Sequence, residues 1–309
     1  MIDHTSDPGL VHFYHGTQYF KPFYRTTFAA DDGAFVAQRS LFLPAEASFV
    51  GLSAMNPASQ NEFAVAVGIF NITFTDDRGD TFGVMADSGL GRISAMVWSH
   101  DGTFLYASDG RGVAQCTSLG VCTVQGDVPS NFYVRHLAVN AADHEHIFAA
   151  AFSNRFSVIG CRVFMSDDGG LSWQDITVDG SPVDDASLGG SVAYISSNTM
   201  NTIAVGTSSG VFIPDGPTIG TGWKLLAGGL PTVAVMDMEY EPDDDTLVVA
   251  TLGRGIWYLD NVSDVATGSI PRPFRHLRET SKARSDSYHH FEGLSESLLD
   301  EMETIATAE

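Results

Sequence analysis

Ser166-Asp167-Asp168-Gly169-Gly170-Leu171-Ser172-Trp173 is the stretch whose reading decides the fold. It has the form S-x-D-x-G-x-S-W, and each fixed position has a mechanical role. The Asp168 carboxylate can accept backbone N–H groups of its own turn. Gly170 can supply a positive φ that other residues resist. The two serines can bond across the loop, and Trp173 can tie it to a core. Thr75-Asp76-Asp77-Arg78-Gly79-Asp80-Thr81-Phe82 fits the same template, with Phe82 in place of the tryptophan. Asp168 follows Asp77 by 91 positions, and a degenerate third turn, Pro214-Asp215-Gly216 ahead of Trp223, follows Asp168 by 47. Half of the longer interval lies within the roughly 40–50 residues of one four-stranded propeller blade.

The strands between these turns repeat at the same interval. Phe63–Phe70, Phe104–Ser108, Ile147–Phe152, Ile203–Thr207 and Leu247–Thr251 are short apolar runs. A second run follows each, at Ile72–Thr75, Gly112–Cys116, Cys161–Ser166, Gly210–Ile213 and Gly255–Leu259. A third precedes several of them, at Ile93–Trp98, Val134–Val139, Val192–Ile195 and Val233–Met238. Closely spaced strands with turn signals indicate an all-β protein, and the superperiod selects a propeller. Five modules are legible from Phe49 to Asp260. A sixth, fainter module spans Phe13–Thr26, with Asp31-Asp32-Gly33 at its turn and no first strand of its own. The expectation is one propeller over residues 1–271, of six blades, with seven or a truncated larger ring as rivals. Asn261–Pro271 is expected to supply the missing strand.

The repeated turn resembles the Asp-box, or BNR repeat, of sialidase, xyloglucanase and sortilin propellers. Leu247–Leu259 also resembles the closing blade of that superfamily. The likeness covers roughly residues 45–262. It implies that Thr75, Asp77, Gly79, Thr81, Phe82, Ser166, Asp168, Gly170, Ser172 and Trp173 are structural, on the face away from the ligand. It also implies that ligands meet the other face, at the mouth of the central channel.

Composition narrows the partners. The chain has 309 residues, 16 Lys and Arg against 38 Asp and Glu, and a net charge of −22. Nucleic acid and anionic membranes need a basic surface, so neither is expected. No apolar run is long enough for a membrane span. The first residues lack the basic and apolar regions of a signal peptide. An extracellular setting is favoured only for a domain cut from a longer precursor. Cys116 and Cys122 flank a tight turn, where a disulfide or two ordinary strand cysteines would fit. No cofactor and no metal site is expected. His144 and His146 lack the further ligands that a metal centre requires.

The expected mouth loops offer Asp109, Asp127, Asp184 and Asp185. Paired carboxylates there could hydrolyse a glycosidic bond. Arg111, Tyr133, Arg155 and Arg254 are the ligand-binding candidates. The sialidase resemblance implies three arginines gripping a substrate carboxylate and an Arg-Ile-Pro entry motif, whereas Arg92-Ile93 is followed by Ser94. Gly206-Thr207-Ser208-Ser209-Gly210 matches a nucleophile elbow, but a strand follows where that motif needs a helix. The leading expectation is a noncatalytic module that binds a protein or a glycan. A glycoside hydrolase and a scaffold domain of a larger protein are the alternatives. Residues 272–288 read as a linker. Phe291, Leu294, Leu298, Met302 and Ile305 have helical spacing over 289–309, an amphipathic helix that packs on the propeller or docks a partner.

Overall fold

The computed structural model describes residues 2–3, 10–16, 18–30, 33–47, 51–129, 132–153, 160–186, 189–269 and 271–277. They form six sheets, each of four antiparallel strands joined in sequence order. The first strands of blades 2 to 6 run Ser53–Asn56, Ala95–Trp98, Phe132–Asn140, Gly189–Ser196 and Val235–Glu241. Neighbours among them lie against one another and wall a central channel. The fold is a six-bladed β-propeller.

Apolar residues on both faces of blades 2 to 5 drive this arrangement. The second strand of blade 4, Asp143–Ser153, shows why. Ile147, Ala149 and Ala151 pack toward blade 3, whereas Phe148 and Ala150 pack toward blade 5. A strand buried on both faces reads as a continuous apolar run, which is how Ile147–Phe152 stands out in the sequence. Among the described residues, five apolar cores join blades 1 to 2 through 5 to 6. Phe63 in blade 2 is fully buried, with its ring against Tyr14 and Phe23 of blade 1 and Phe82 of its own turn.

The turn between third and fourth strands is closed by different chemistry in different blades. In blade 4, Asp168 Oδ1 accepts the Ser172 N–H (2.9 Å) and the Ser166 hydroxyl (2.8 Å), and Oδ2 accepts the Ser172 hydroxyl (2.6 Å). Ser166 Oγ accepts the Gly170 N–H, and the Trp173 indole donates back to the Gly170 carbonyl. Gly170 has φ +95°, so its lack of a Cβ is required. In blade 2, Asp77 takes the matching bonds from Thr75 and Thr81. In blade 3, a disulfide joins Cys116 to Cys122 across the corresponding turn. In blade 5, the Asp215 N–H bonds to the Gly222 carbonyl.

Blade 6 departs from the sequence expectation. Asn261–Pro271 does not complete blade 1. Val262–Thr267 instead forms helix α1, with Val262, Val265 and Ala266 buried at helical spacing against the core between blades 5 and 6. Gly268 ends it at φ 78°. The chain then returns as Arg275–His276, pairing with Trp257 and Tyr258 as the fourth strand of blade 6. The sheet therefore continues beyond residue 271. Blade 1 begins with Ile2–Asp3, which pairs with Phe13 and His12. Two-residue strands leave no apolar period, which is why neither was legible. The expected helix over 289–309 lies outside the described residues.

Candidate functional site at the channel and its mouth

Alternating strands put the closing turns on one face and the connections between blades on the other. The mouth face therefore carries the hairpin tips between second and third strands. Asp109 sits at such a tip in blade 3. Its Oδ1 accepts the N–H groups of Arg111 (3.0 Å) and Gly112 (2.9 Å), and its Oδ2 accepts that of Gly91 (2.8 Å). The carboxylate thus ties the incoming loop to the tip. Asp127, exposed, pairs in register with Gly112. A Cβ placed on Gly112 would lie 3.4 Å from Asp127 Oδ1 and 3.7 Å from Asp109 Oδ1. The two carboxylates therefore flank one point, within the upper limit of roughly 10 Å for an acid–base pair.

Tyr133 lies against the same tip. A Cβ on Gly110 would fall 2.3 Å from the tyrosine ring, so only glycine fits there. Arg111, exposed, is the next residue. A bulge at Val134–His136 leaves Arg135 outside the ladder. Its guanidinium stacks 5.4 Å from the Tyr133 centroid and 4.7 Å from that of Phe152. Bulges re-aim side chains in this way. Asp109, Asp127, Arg111 and Tyr133 thus gather at the boundary of blades 3 and 4, joined by Arg135 and Phe152.

The other candidates lie elsewhere. Asp184 accepts Arg162 Nη2 (3.1 Å) and the Gly180 N–H (2.9 Å), while Arg162 also bonds to Asp179 (3.0 Å). Asp185 is exposed, its N–H bonded to the Ser181 carbonyl. The adjacent aspartates are therefore not an equivalent pair: one is locked to an arginine and the other faces water. Arg254 is exposed at the tip of blade 6, three blades around the ring from Arg111. Arg155 lies outside the described residues. On the opposite face, His144 approaches Asp101 and His146 approaches Asp167. Among the described residues no His, Cys, Asp or Glu group could hold a metal. Ser208 and Ser209 join two strands, without the helix an elbow needs.

Three channel residues were missed. His136 Nε2 donates to Asp237 Oδ1 at 2.7 Å and its Nδ1 to the Val192 carbonyl at 2.9 Å. The contact runs from blade 4 across blade 5 to blade 6. Water still reaches it, since 27% of the His136 side chain and 67% of that of Asp237 are accessible. Burial favours a neutral imidazole, but the hydrogen bond and charge of Asp237 outweigh it and raise the His136 pKa. Burial likewise works against the Asp237 carboxylate, yet bonds from His136 and Met238 hold its pKa below the usual value. Burial and repulsion from Asp237 push Glu239 up. The available signal was polar residues inside first-strand apolar runs, as in Met236-Asp237-Met238-Glu239.

No protein-family model and no curated protein sequence matches the chain. Solved structures do. The GH74 xyloglucanase from Xanthomonas campestris superposes with a TM-score of 0.62 at 14% identity, over 87% of this chain and 45% of that one. The Niastella koreensis GH74 enzyme gives 0.57 at 14%, over 84% and 45%. These likenesses show the fold alone. This chain spans less than half the length of either enzyme. The Cps50 (Swd1) β-propeller domain of Myceliophteria thermophila gives 0.51 at 15%, over 69% and 67%.

Proposed function

We propose that this propeller is a noncatalytic binding module of Asp-box type that takes a protein or a glycan at the mouth of its channel. The observation that carries this reading is how the mouth carboxylates are used. Asp109 spends both oxygens on three backbone N–H groups, and Asp184 is held by Arg162 and Gly180. Carboxylate oxygens already committed to backbone N–H groups or to an arginine are not free to reach a glycosidic oxygen. Beside them, Tyr133, Phe152 and Arg135 form an aromatic and cationic surface. Hydrogen-bonding groups beside a ring suit a sugar or a peptide side chain.

A second reading, glycoside hydrolysis, has one specific support. Asp237 and Glu239 sit two residues apart on one strand and thus on one face. The pKa of Asp237 is lowered and that of Glu239 raised, the division that an acid and its partner carboxylate use. A glycan array read beside a panel of chromogenic glycosides separates the two. Binding without turnover, lost in Tyr133→Ala and Arg135→Ala, supports the binding module. Turnover abolished by Glu239→Gln or Asp237→Asn would replace it with the hydrolase. The xyloglucanase likeness makes β-glucan oligosaccharides the first glycans to screen.

A further inference from the structure

The first strands of blades 4, 5 and 6 share a local pattern. Each carries a bulge near its start, at Val134–His136, Gly189–Ser191 and Val235–Asp237. The residue after each bulge pairs with the equivalent position of the second strand: His136 with Ala150, Ser191 with Gly206, and Asp237 with Ala250. His136, Ser191 and Asp237 therefore occupy one ring position in three consecutive blades. His136 spans the middle blade, reaching the Val192 carbonyl on the way to Asp237. Ser191, between them, is fully buried, and its hydroxyl has no partner among the described residues.

We infer that His136 is a proton-operated clamp that ties the channel walls of blades 4, 5 and 6 together over Ser191. Both neighbours of the ring can only accept hydrogen bonds, so both ring nitrogens must donate and the ring must be the imidazolium. Loss of one proton turns a donor into a lone pair facing an oxygen, and one leg of the bridge fails. An unpaired buried hydroxyl is costly. Release of the clamp would let water reach Ser191, so the two events are coupled.

Among the described residues, the charged groups that act on the clamp come from blade 6. Asp237 and Glu239 favour the imidazolium. Arg135, next in sequence, is engaged by Tyr133 and Phe152. Because the His136 pKa is raised in the fold, its contribution is complete below the ordinary 6.5 and is lost as pH rises through the higher folded value. Because that of Asp237 is lowered, its contribution is complete above the ordinary 3.8 and is lost as pH falls through the lower folded value. The clamp is closed between those two limits.

The test is thiol labelling of Ser191→Cys in the full chain, with rates corrected for thiolate fraction, from pH 6 to pH 8.5. Labelling at least tenfold slower at pH 6 than at pH 8.5, and equally fast at both when His136→Gln is added, is the expected result. A corrected rate independent of pH, or a pH dependence that survives His136→Gln, overturns the clamp. NMR titration of the His136 ring in the wild-type chain guards against a misfolded variant. Its midpoint should lie above the ordinary value and fall in Asp237→Asn. A midpoint at or below the ordinary value also overturns the proposal.

Discussion

Asp168 and Asp237 use the same carboxylate in opposite ways. Asp168, on the turn face, spends its oxygens on residues within four positions of itself. Asp237, in the channel, meets a histidine 101 positions away. The first arrangement closes one turn and recurs almost unchanged in blade 2. The second joins three blades, and the residues at its ring position differ in each of them: His136, Ser191 and Asp237. Local carboxylates build the blades of this protein, and distant ones give the channel its chemistry.

The comparison can be broken most severely beneath the turn. Phe63→Ala should cost about 4 kcal/mol, because its cavity opens among three packed rings between blades 1 and 2. A guanidinium denaturation midpoint would show it, and a loss under about 1 kcal/mol would mean that blade 1 is not held there. Asp168→Ala should cost about 2 kcal/mol, since two hydroxyls and one N–H lose a charged acceptor. Asp77→Ala should match it if the two turns are energetically equivalent. Reduction of Cys116–Cys122 should remove about 2 kcal/mol for so short a loop, read as a lower melting temperature in reductant.

pH sharpens the same contrast. Asp77 and Asp168 titrate below the ordinary carboxylate value, and Asp101, bonded by Ser99 and Thr103, is held down to about 2. Their stabilisation is present above the ordinary 3.8 and is lost as pH falls through the folded values. Asp101→Asn should therefore flatten the acid limb of the stability curve between about pH 4 and 2 and leave the alkaline limb unchanged. The smallest effect is expected at Arg254→Ala, below about 0.5 kcal/mol, because the residue is exposed and the Trp257 indole bonds to its carbonyl, which alanine keeps.

What was legible in the chain follows from range. The Ser166–Trp173 turn announces itself because its bonds close within eight residues. The long second strands announce themselves because burial on both faces makes them continuously apolar. Helix α1 was missed because Val262, Val265 and Ala266 fill barely one turn, and the closing strand because Arg275–His276 is too short to show a period. At the mouth, the types of Asp109, Asp127, Arg111 and Tyr133 could be read, but not the saturation of Asp109 by backbone N–H groups. The clustering of Arg135 on Tyr133 and Phe152 depends on a bulge that no residue pattern marks.

The sequence by itself determined the all-β class, the blade period and the placement of two turns, because those rest on bonds between near neighbours and on strand-length burial. Only the tertiary structure decided which polar residues face the channel, and that His136, Ser191 and Asp237 share one ring position. The reason is geometric: closing the ring of blades sets side chains about fifty residues apart onto neighbouring walls, and no local preference encodes which of them will meet.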